Sequence, residues 1–102
     1  MDPLIDHHRR EIAGLCRRFR VRRLELFGSA VSECFDPRHS DVDFLVEFQP
    51  LPEGGHADAY FGFLESLETL LSRRVDLVMS GAIRNRYFLE AIEPTRTLMY
   101  AA

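Results

Sequence analysis

The stretch Asp41-Val42-Asp43-Phe44-Leu45-Val46-Glu47-Phe48 alternates between two sets of side chains with a period of two. This period is typical of a β-strand, in which successive side chains point to opposite faces of the sheet. One face carries Val42, Phe44, Val46 and Phe48, and the other carries Asp41, Asp43, Leu45 and Glu47. The sequence therefore predicts a buried strand that presents two aspartates on one face at its start.

The spacing of Asp41 and Asp43 has an electrostatic consequence. Their Cα atoms would lie roughly 6 to 7 Å apart on the same face of the strand. If the carboxylates converge to about 4 Å, they repel by about 4 kcal/mol near a protein surface. A proton or a cation removes this repulsion. Mg²⁺ typically binds one or two carboxylates and completes its shell with phosphate and water, so the pair predicts a divalent cation site.

Residues 21–27, in which Leu24 and Leu26 alternate with charged residues, predict a second strand, which Gly28-Ser29 ends sharply. Glycine lets a backbone come close to a ligand, and the start of a short helix over 29–35 would offer free N–H groups to an anion. The hydroxyl of Ser29 would add a further hydrogen bond to a phosphate oxygen. Gly28 and Ser29 are therefore candidate nucleotide-binding residues, although a lone Gly-Ser pair is also an ordinary turn.

A third acid, Asp76, lies within Val75-Asp76-Leu77-Val78. Its neighbours are typical of a central strand, where a charged residue needs a partner or a function. If this strand lies beside the strand of Asp43, all three acids face one site. A phosphate-binding turn beside metal-binding acids is the arrangement that phosphoryl or nucleotidyl transfer requires. Asp76 would be the base or a further metal ligand; alternatively it forms an ion pair with Arg73 or Arg74.

The rest of the pattern predicts a single domain over residues 1–102 with helices and strands in alternation. Helices are predicted over 3–19, 29–35, 57–71 and 81–92, strands over 21–27, 41–48, 74–79 and 95–100, and a surface loop over 49–55. This order predicts the α/β (α+β) class, a small mixed β-sheet flanked by helices.

Composition narrows the class of protein further. The chain has 102 residues, 46% of them hydrophobic and 28% charged, as in one soluble globular domain. A formal net charge of -3 argues against a general nucleic-acid-binding protein. We expect no signal peptide or membrane anchor, because no apolar run has the necessary length. Cys16 and Cys34 have no CxxC spacing, so we expect reduced thiols and a cytoplasmic location.

Three motifs together resemble the minimal nucleotidyltransferase (MNT) domain of the DNA polymerase β superfamily. They are Leu26-Phe27-Gly28-Ser29, then Ser40-Asp41-Val42-Asp43-Phe44-Leu45-Val46, then Val75-Asp76-Leu77-Val78. The likeness covers nearly the whole chain, and its short length resembles that of stand-alone MNT antitoxins, which are commonly encoded beside a HEPN-domain toxin.

The resemblance implies an activity, cofactors and a partner. Such proteins use Mg²⁺ and ATP to transfer AMP to a tyrosine of the HEPN ribonuclease and so silence it. The motifs imply that Gly28 and Ser29 hold the triphosphate, that Asp41 and Asp43 hold metal ions, and that Asp76 completes the catalytic and metal-binding acids. The implied partners are a HEPN toxin, in a hetero-oligomer, and ATP, with no membrane and no direct nucleic acid.

One segment departs from the family pattern and keeps alternatives open. After Ser29 the family usually has a basic, glycine-containing stretch, whereas this chain has Ala30-Val31-Ser32-Glu33-Cys34. The spacer to Asp41 is also one residue longer than the family pattern. The three acids favour an enzyme, and the altered segment favours an antitoxin that neutralises its toxin by binding alone. A third hypothesis, transfer to a small molecule, would need an additional substrate domain that 102 residues do not provide.

Overall fold

The computed structural model describes residues 3–28, 41–52, 54–80 and 86–102, and its described strands form one four-stranded sheet. The strands are β1 (Val21–Phe27), β2 (Val42–Phe48), β3 (Val75–Met79) and β4 (Thr97–Ala101). Their order is β3-β2-β1-β4. β1 is antiparallel to both of its neighbours, whereas β2 and β3 are parallel. The predicted mixed sheet is confirmed.

Helices connect and cover these strands. They are α1 (Pro3–His7), α2 (Arg9–Arg18), α3 (Gly55–Leu71) and α4 (Arg86–Ile92), and a 3-10 turn over Glu93–Thr95 follows α4. The predicted helix over 29–35 and the predicted start of the last helix at 81–85 lie outside the described residues. Within the described ranges, no helix combines the length and the apolar character needed to cross a membrane.

The N-terminal helix predicted over residues 3–19 is wrong in one respect, because it is interrupted at His8. The backbone N–H of His8 is shared between the carbonyls of Leu4 and Ile5, each at 3.2 Å. Nδ1 of the same residue donates to the Leu4 carbonyl at 2.8 Å. The Leu4 carbonyl thus accepts from both the backbone and the side chain of His8, at the residue where the chain divides into α1 and α2.

The main core lies between one face of the sheet and helices α1 to α3. The predicted apolar face of β2 is confirmed, since Val42, Phe44 and Val46 are fully buried there. Ile12 and Cys16 reach the same cluster from α2. Burial raises the pKa of the Cys16 thiol to about 12, which keeps it protonated and unreactive.

The opposite face of the sheet has a smaller apolar cluster under α4. It is made by Phe27, Leu45 and Ile92, with Val78 and Leu89 packed against it. The rings of Phe27 and Phe88 meet edge to face, with centroids 5.9 Å apart. Leu45 is thus buried although it shares its face with Asp43, because α4 covers that part of the sheet.

A buried ion pair joins β1 to the residue that immediately precedes β4. Glu25 is only 6% exposed, and its two carboxylate oxygens each accept a 2.8 Å hydrogen bond from Arg96, one from Nε and one from Nη2. Arg23 donates a third bond at 3.1 Å. These hydrogen bonds, above all those from Arg96, hold the pKa of Glu25 below its ordinary value. Sequence analysis missed this pair because its members are 71 positions apart.

The first prediction concerns this ion pair. Replacing Arg96 by Met leaves the Glu25 carboxylate buried with one partner fewer, so we expect the free energy of unfolding to fall by about 2 kcal/mol at pH 7. The double variant Glu25→Gln/Arg96→Met should recover part of the loss, because no buried charge remains.

The pH dependence of the same difference is a second readout. The folded pKa of Glu25 is lowered, so the contribution of the pair is present above the ordinary pKa of 4.5 and is lost as the pH falls through the folded pKa. Chemical denaturation at several pH values should therefore show the gap between wild type and Arg96→Met closing in acid. A gap independent of pH would contradict the assignment.

The second prediction uses two helical glycines as a matched pair. A Cβ on Gly62 would lie 2.6 Å from Cε1 of Phe19, whereas a Cβ on Gly14 would meet nothing within 4 Å. Alanine stabilises a helix by about 1 kcal/mol relative to glycine. We expect Gly14→Ala to raise the melting temperature and Gly62→Ala to lower it, because overpacking costs about 1 to 3 kcal/mol. Equal stabilisation by both would show that Phe19 moves freely.

Candidate active site

The parallel pairing of β2 and β3 brings the predicted acids together. In this register Asp43 lies opposite Asp76, one position after the pair Val42 and Val75. Paired residues on neighbouring strands are about 4.8 Å apart and project from the same face. Asp41 immediately precedes β2 and is exposed. The condition on which the acids were expected to share a site, that the strands of Asp43 and Asp76 are neighbours, is therefore met.

The prediction that Asp76 lies on a central strand is wrong. β3 is at the edge of the described sheet, and Asp76 is exposed. Its apolar neighbours have another explanation: Leu77 packs into the main core, and Val78 packs under α4. Layers above and below make an edge strand as apolar as a central one, while the acid remains accessible to solvent and ligands.

The alternative of a structural ion pair for Asp76 finds no support in the part of the chain that the structure describes. Nη1 of Arg73 donates instead to the carbonyl of Ser72 at 2.9 Å. The carbonyl of Arg74 accepts from the N–H of Val42 at 2.9 Å, and its side chain forms no salt bridge among the described residues. Neither arginine therefore pairs with Asp76 among the described residues.

Gly28 closes the site on the β1 side. Its φ is +78°, a conformation that favours glycine. A Cβ built on it would lie 2.6 Å from Oδ2 of Asp43, closer than real Cβ atoms approach any neighbour. The backbone angle thus favours glycine, and a side chain here would force the Asp43 carboxylate to move, because Gly28 lies directly against it.

The backbone N–H of Gly28 is donated to Oγ1 of Thr95 at 3.0 Å, so it is not a free donor for a phosphate. The free N–H groups predicted at the start of the helix over 29–35 lie outside the described residues. Ser29 and the segment that follows lie outside the described residues, so the hydroxyl predicted to bind phosphate stays a prediction.

Asp43 is the acid whose charge is most disfavoured by its burial and by the neighbouring acids. Its pKa is raised to about 6, first by burial and then by the nearby carboxylates of Asp76 and Asp41. Such a carboxylate is stabilised by a nearby positive charge, and its oxygen donors suit a hard cation. Among the described residues, no three His, Cys, Asp or Glu side chains converge as a metal-binding group. A cation here would therefore need further oxygens from a ligand or water, which is the usual situation for Mg²⁺.

Two residues that sequence analysis did not select support β3. The hydroxyl of Tyr60 on α3 donates to the carbonyl of Leu77, and burial together with the Asp76 charge raises the pKa of Tyr60. Glu68, also on α3, accepts a hydrogen bond from the N–H of Val75 at 3.1 Å. The sequence placed Tyr60 in the buried stripe of α3, but nothing in the local pattern indicates which strand its hydroxyl reaches.

A large open groove lies elsewhere on the molecule. It has a volume of about 630 Å³ and runs between α2 and α3, with Leu15 and Leu70 among its lining residues. Asp43 and Asp76 project from the opposite face of the sheet and do not line it. The chemistry of the acids, not the size of a cavity, therefore locates the candidate site.

Comparison with known proteins identifies the family. Residues 9–98 match the nucleotidyltransferase domain family. The chain is 39% identical over 83 residues to a Methanocaldococcus jannaschii protein named as a protein adenylyltransferase, covering 78% of this chain and 76% of that protein. It is 35% identical over 86 residues to the protein adenylyltransferase MntA of Thermococcus cleftensis, covering 83% and 79%. The chain therefore belongs to the nucleotidyltransferase domain family.

Solved structures confirm the minimal form of this fold. A structure named as a minimal nucleotidyltransferase superposes with a TM-score of 0.75 at 28% identity, over 95% of both chains. The MNT antitoxin in complex with a tri-AMPylated Shewanella oneidensis HEPN toxin superposes with a TM-score of 0.64 at 18% identity, over 95% of this chain and 72% of that chain. The resemblance to MNT antitoxins and the nucleotidyltransferase assignment are both confirmed.

The third prediction concerns the stability of the ligand-free site. Because the folded pKa of Asp43 is about 6 and its ordinary value is 3.8, the contribution of Asp43 to stability is fully present below pH 3.8 and is lost as the pH rises through 6. Asp43→Asn should therefore unfold at a higher temperature than wild type at pH 7. The gain should be about 1 kcal/mol, since partial exposure reduces the full effect of the shift.

The control for this comparison is Asp58→Asn, which removes an exposed carboxylate from the first turn of α3. Thermal unfolding at pH 4 and pH 7 should show a pH-dependent gain for Asp43→Asn only. If Asp43→Asn is no more stable than wild type at pH 7, the acids do not repel one another as described.

Proposed function

We propose that this protein is a Mg²⁺-dependent adenylyltransferase that transfers AMP from ATP to a tyrosine hydroxyl of a HEPN-domain toxin and thereby neutralises it. The observation that carries the proposal is the alignment of Asp43 with Asp76 beneath the Gly28 turn. Its support is that two relatives above 30% identity are named as protein adenylyltransferases. An AMPylated HEPN toxin accompanies an antitoxin of the same fold.

Each site residue has a role in this proposal. Gly28 and Ser29 hold the triphosphate, with Gly28 giving the close approach that its missing side chain permits. Asp41 and Asp43 bind magnesium through carboxylate oxygens, and the raised pKa of Asp43 falls when a cation is bound beside it. When bound, magnesium neutralises charge on the phosphates and orients them.

Asp76 is the group that remains for the acceptor, as a base or as a third metal ligand. It is exposed at the sheet edge, where a hydroxyl from another protein can reach it. In the first role a carboxylate oxygen of Asp76 takes the tyrosine proton. The tyrosine oxygen then forms a bond to the α-phosphorus of ATP, the bond from that phosphorus to the bridging oxygen breaks, and pyrophosphate leaves.

A second function has one specific observation in its favour. The segment Ala30-Val31-Ser32-Glu33-Cys34 has neither arginine nor glycine. A missing cation near the triphosphate weakens ATP binding, and Glu33 would repel its negative charge. The same fold could then neutralise the toxin by complex formation alone.

The fourth prediction separates these two functions. We would incubate the protein with Mg-ATP and the HEPN-domain protein encoded beside it, and measure the intact mass of that partner. Wild-type protein should add one or more AMP units. Asp43→Asn should add none, because one magnesium-binding carboxylate is lost while the fold is retained. The matched variant Asp58→Asn should act as wild type.

Two results would contradict the proposal. If the partner gains no mass but still co-purifies with the wild-type protein, neutralisation occurs by binding alone. If Asp43→Asn transfers AMP as fast as wild type, the acids of β2 are not the metal-binding residues. Adding EDTA to the wild-type reaction tests the metal separately and should abolish the mass gain.

A further inference from the structure

Thr95 is the residue that connects the far end of the chain to the Gly28 turn. Its hydroxyl accepts the N–H of Gly28 at 3.0 Å and donates its own proton to the carbonyl of Ile92 at 3.0 Å. One hydroxyl has one proton and lone pairs to accept with, so both bonds form together. Valine has the same shape and can make neither bond, whereas serine can make both.

This link begins where the backbone pairing of β1 and β4 ends. The last pair in that ladder is Leu26 with Thr97, two residues before Gly28. Beyond it the side chain of Thr95 provides the hydrogen-bond acceptor that a further strand residue would have provided. The Gly28 turn is therefore held from the β4 side although no backbone ladder reaches it.

The position of Thr95 is itself fixed. Arg96, the next residue, forms the two hydrogen bonds to buried Glu25. Ile92, whose carbonyl receives the Thr95 proton, is buried in the cluster with Phe27. The segment from Ile92 to Arg96 is thus attached to β1 at Glu25, at Phe27 and at Gly28, and it cannot shift without breaking one of these contacts.

The turn in its present position lies against the site. There is no room for a Cβ between Gly28 and the Asp43 carboxylate, so a displacement of Gly28 changes the space above that carboxylate. Without the Thr95 hydroxyl, the N–H of Gly28 loses its acceptor in a partly buried place and the turn must reorient to find another.

We propose that Thr95 is a positioning residue for the nucleotide site, whose hydroxyl sets the Gly28 turn at the distance from Asp43 that the triphosphate of ATP requires. This inference rests on the proposed function, since it assigns to that site the residue that shapes it. Thr95 acts on the site through Gly28. The hydrogen bonds that the structure shows for its hydroxyl are to Gly28 and Ile92, and none is to Asp43 or Asp76.

The fifth prediction compares three variants of the full-length protein. Thr95→Val should raise the Kd for Mg-ATP, measured by isothermal titration calorimetry, by about tenfold, because returning the displaced Gly28 turn to its place in the complex costs about as much as the hydrogen bond that Gly28 has lost. Thr95→Ser should bind within about twofold of wild type, because both hydrogen bonds are retained. In AMP transfer, the KM for ATP should rise in Thr95→Val while kcat changes by less than about threefold, since the loss is in ground-state binding.

The matched control is Thr97→Val. Its hydroxyl, also partly buried and in the same segment, donates to the Thr95 carbonyl at 3.2 Å and does not contact Gly28. Thr97→Val should lower the melting temperature, though by less than Thr95→Val because it loses one hydrogen bond and not two, and should leave the Kd for Mg-ATP unchanged. Amide hydrogen exchange should show faster exchange at Gly28 in Thr95→Val alone.

The outcomes are separable. If wild type binds Mg-ATP and Thr95→Val binds it equally well, the role of Thr95 is overturned and the proposed function stands. If Thr97→Val weakens binding as much as Thr95→Val, the effect is general destabilisation and the inference is again overturned. If wild type binds no Mg-ATP, the proposed function fails, and the role of Thr95 in the nucleotide site fails with it.

Discussion

The register of β2 against β3 is the constraint on which the rest of the structure depends. The same ladder that sets Asp43 beside Asp76 sets Phe44 beside Leu77 on the opposite, buried face. A slip of one residue would turn Phe44 to solvent and Asp43 into the core, at a cost of several kcal/mol. Apolar burial on one face thus holds carboxylates together on the other, against their mutual repulsion. The site exists because the core does not allow the strands to move apart.

Much of this fold could be predicted because each strand has a recognisable pattern in its own stretch of sequence. The period-two pattern of β2 gave both its bounds, to within one residue, and the face that Val42 and Asp43 would each take. What the pattern could not give is the position of a strand within the sheet. Val75, Leu77 and Val78 are apolar because the main core covers one face of β3 and the cluster under α4 covers the other. The sequence of an edge strand covered on both faces has the same pattern as that of a central strand.

The acids of the candidate site could be predicted from the sequence, but the residues that hold the site in place could not. Asp43 and Asp76 stand out because charge is unusual beside buried strand residues. Thr95 does not stand out, because its partner lies 67 positions away and no local pattern marks such a pair. For the same reason the sequence could show that Gly28 permits a tight turn, but not that its N–H is taken by Thr95. The division of the helix at His8 was missed because no glycine or proline marks it in the sequence.

The hydrogen bonds that join Glu25 to Arg96 and Gly28 to Thr95 affect the order in which the protein can fold during its synthesis. Glu25 and Gly28 leave the ribosome 71 and 67 residues ahead of Arg96 and Thr95, their respective partners. At about 5 to 20 residues per second, roughly 3 to 13 seconds of synthesis separate Gly28 from Thr95. All three acids are added to the nascent chain during that interval, while β1 still has no neighbour on its β4 side. Translation of the last strand therefore sets the moment at which the turn above Asp43 takes its final shape.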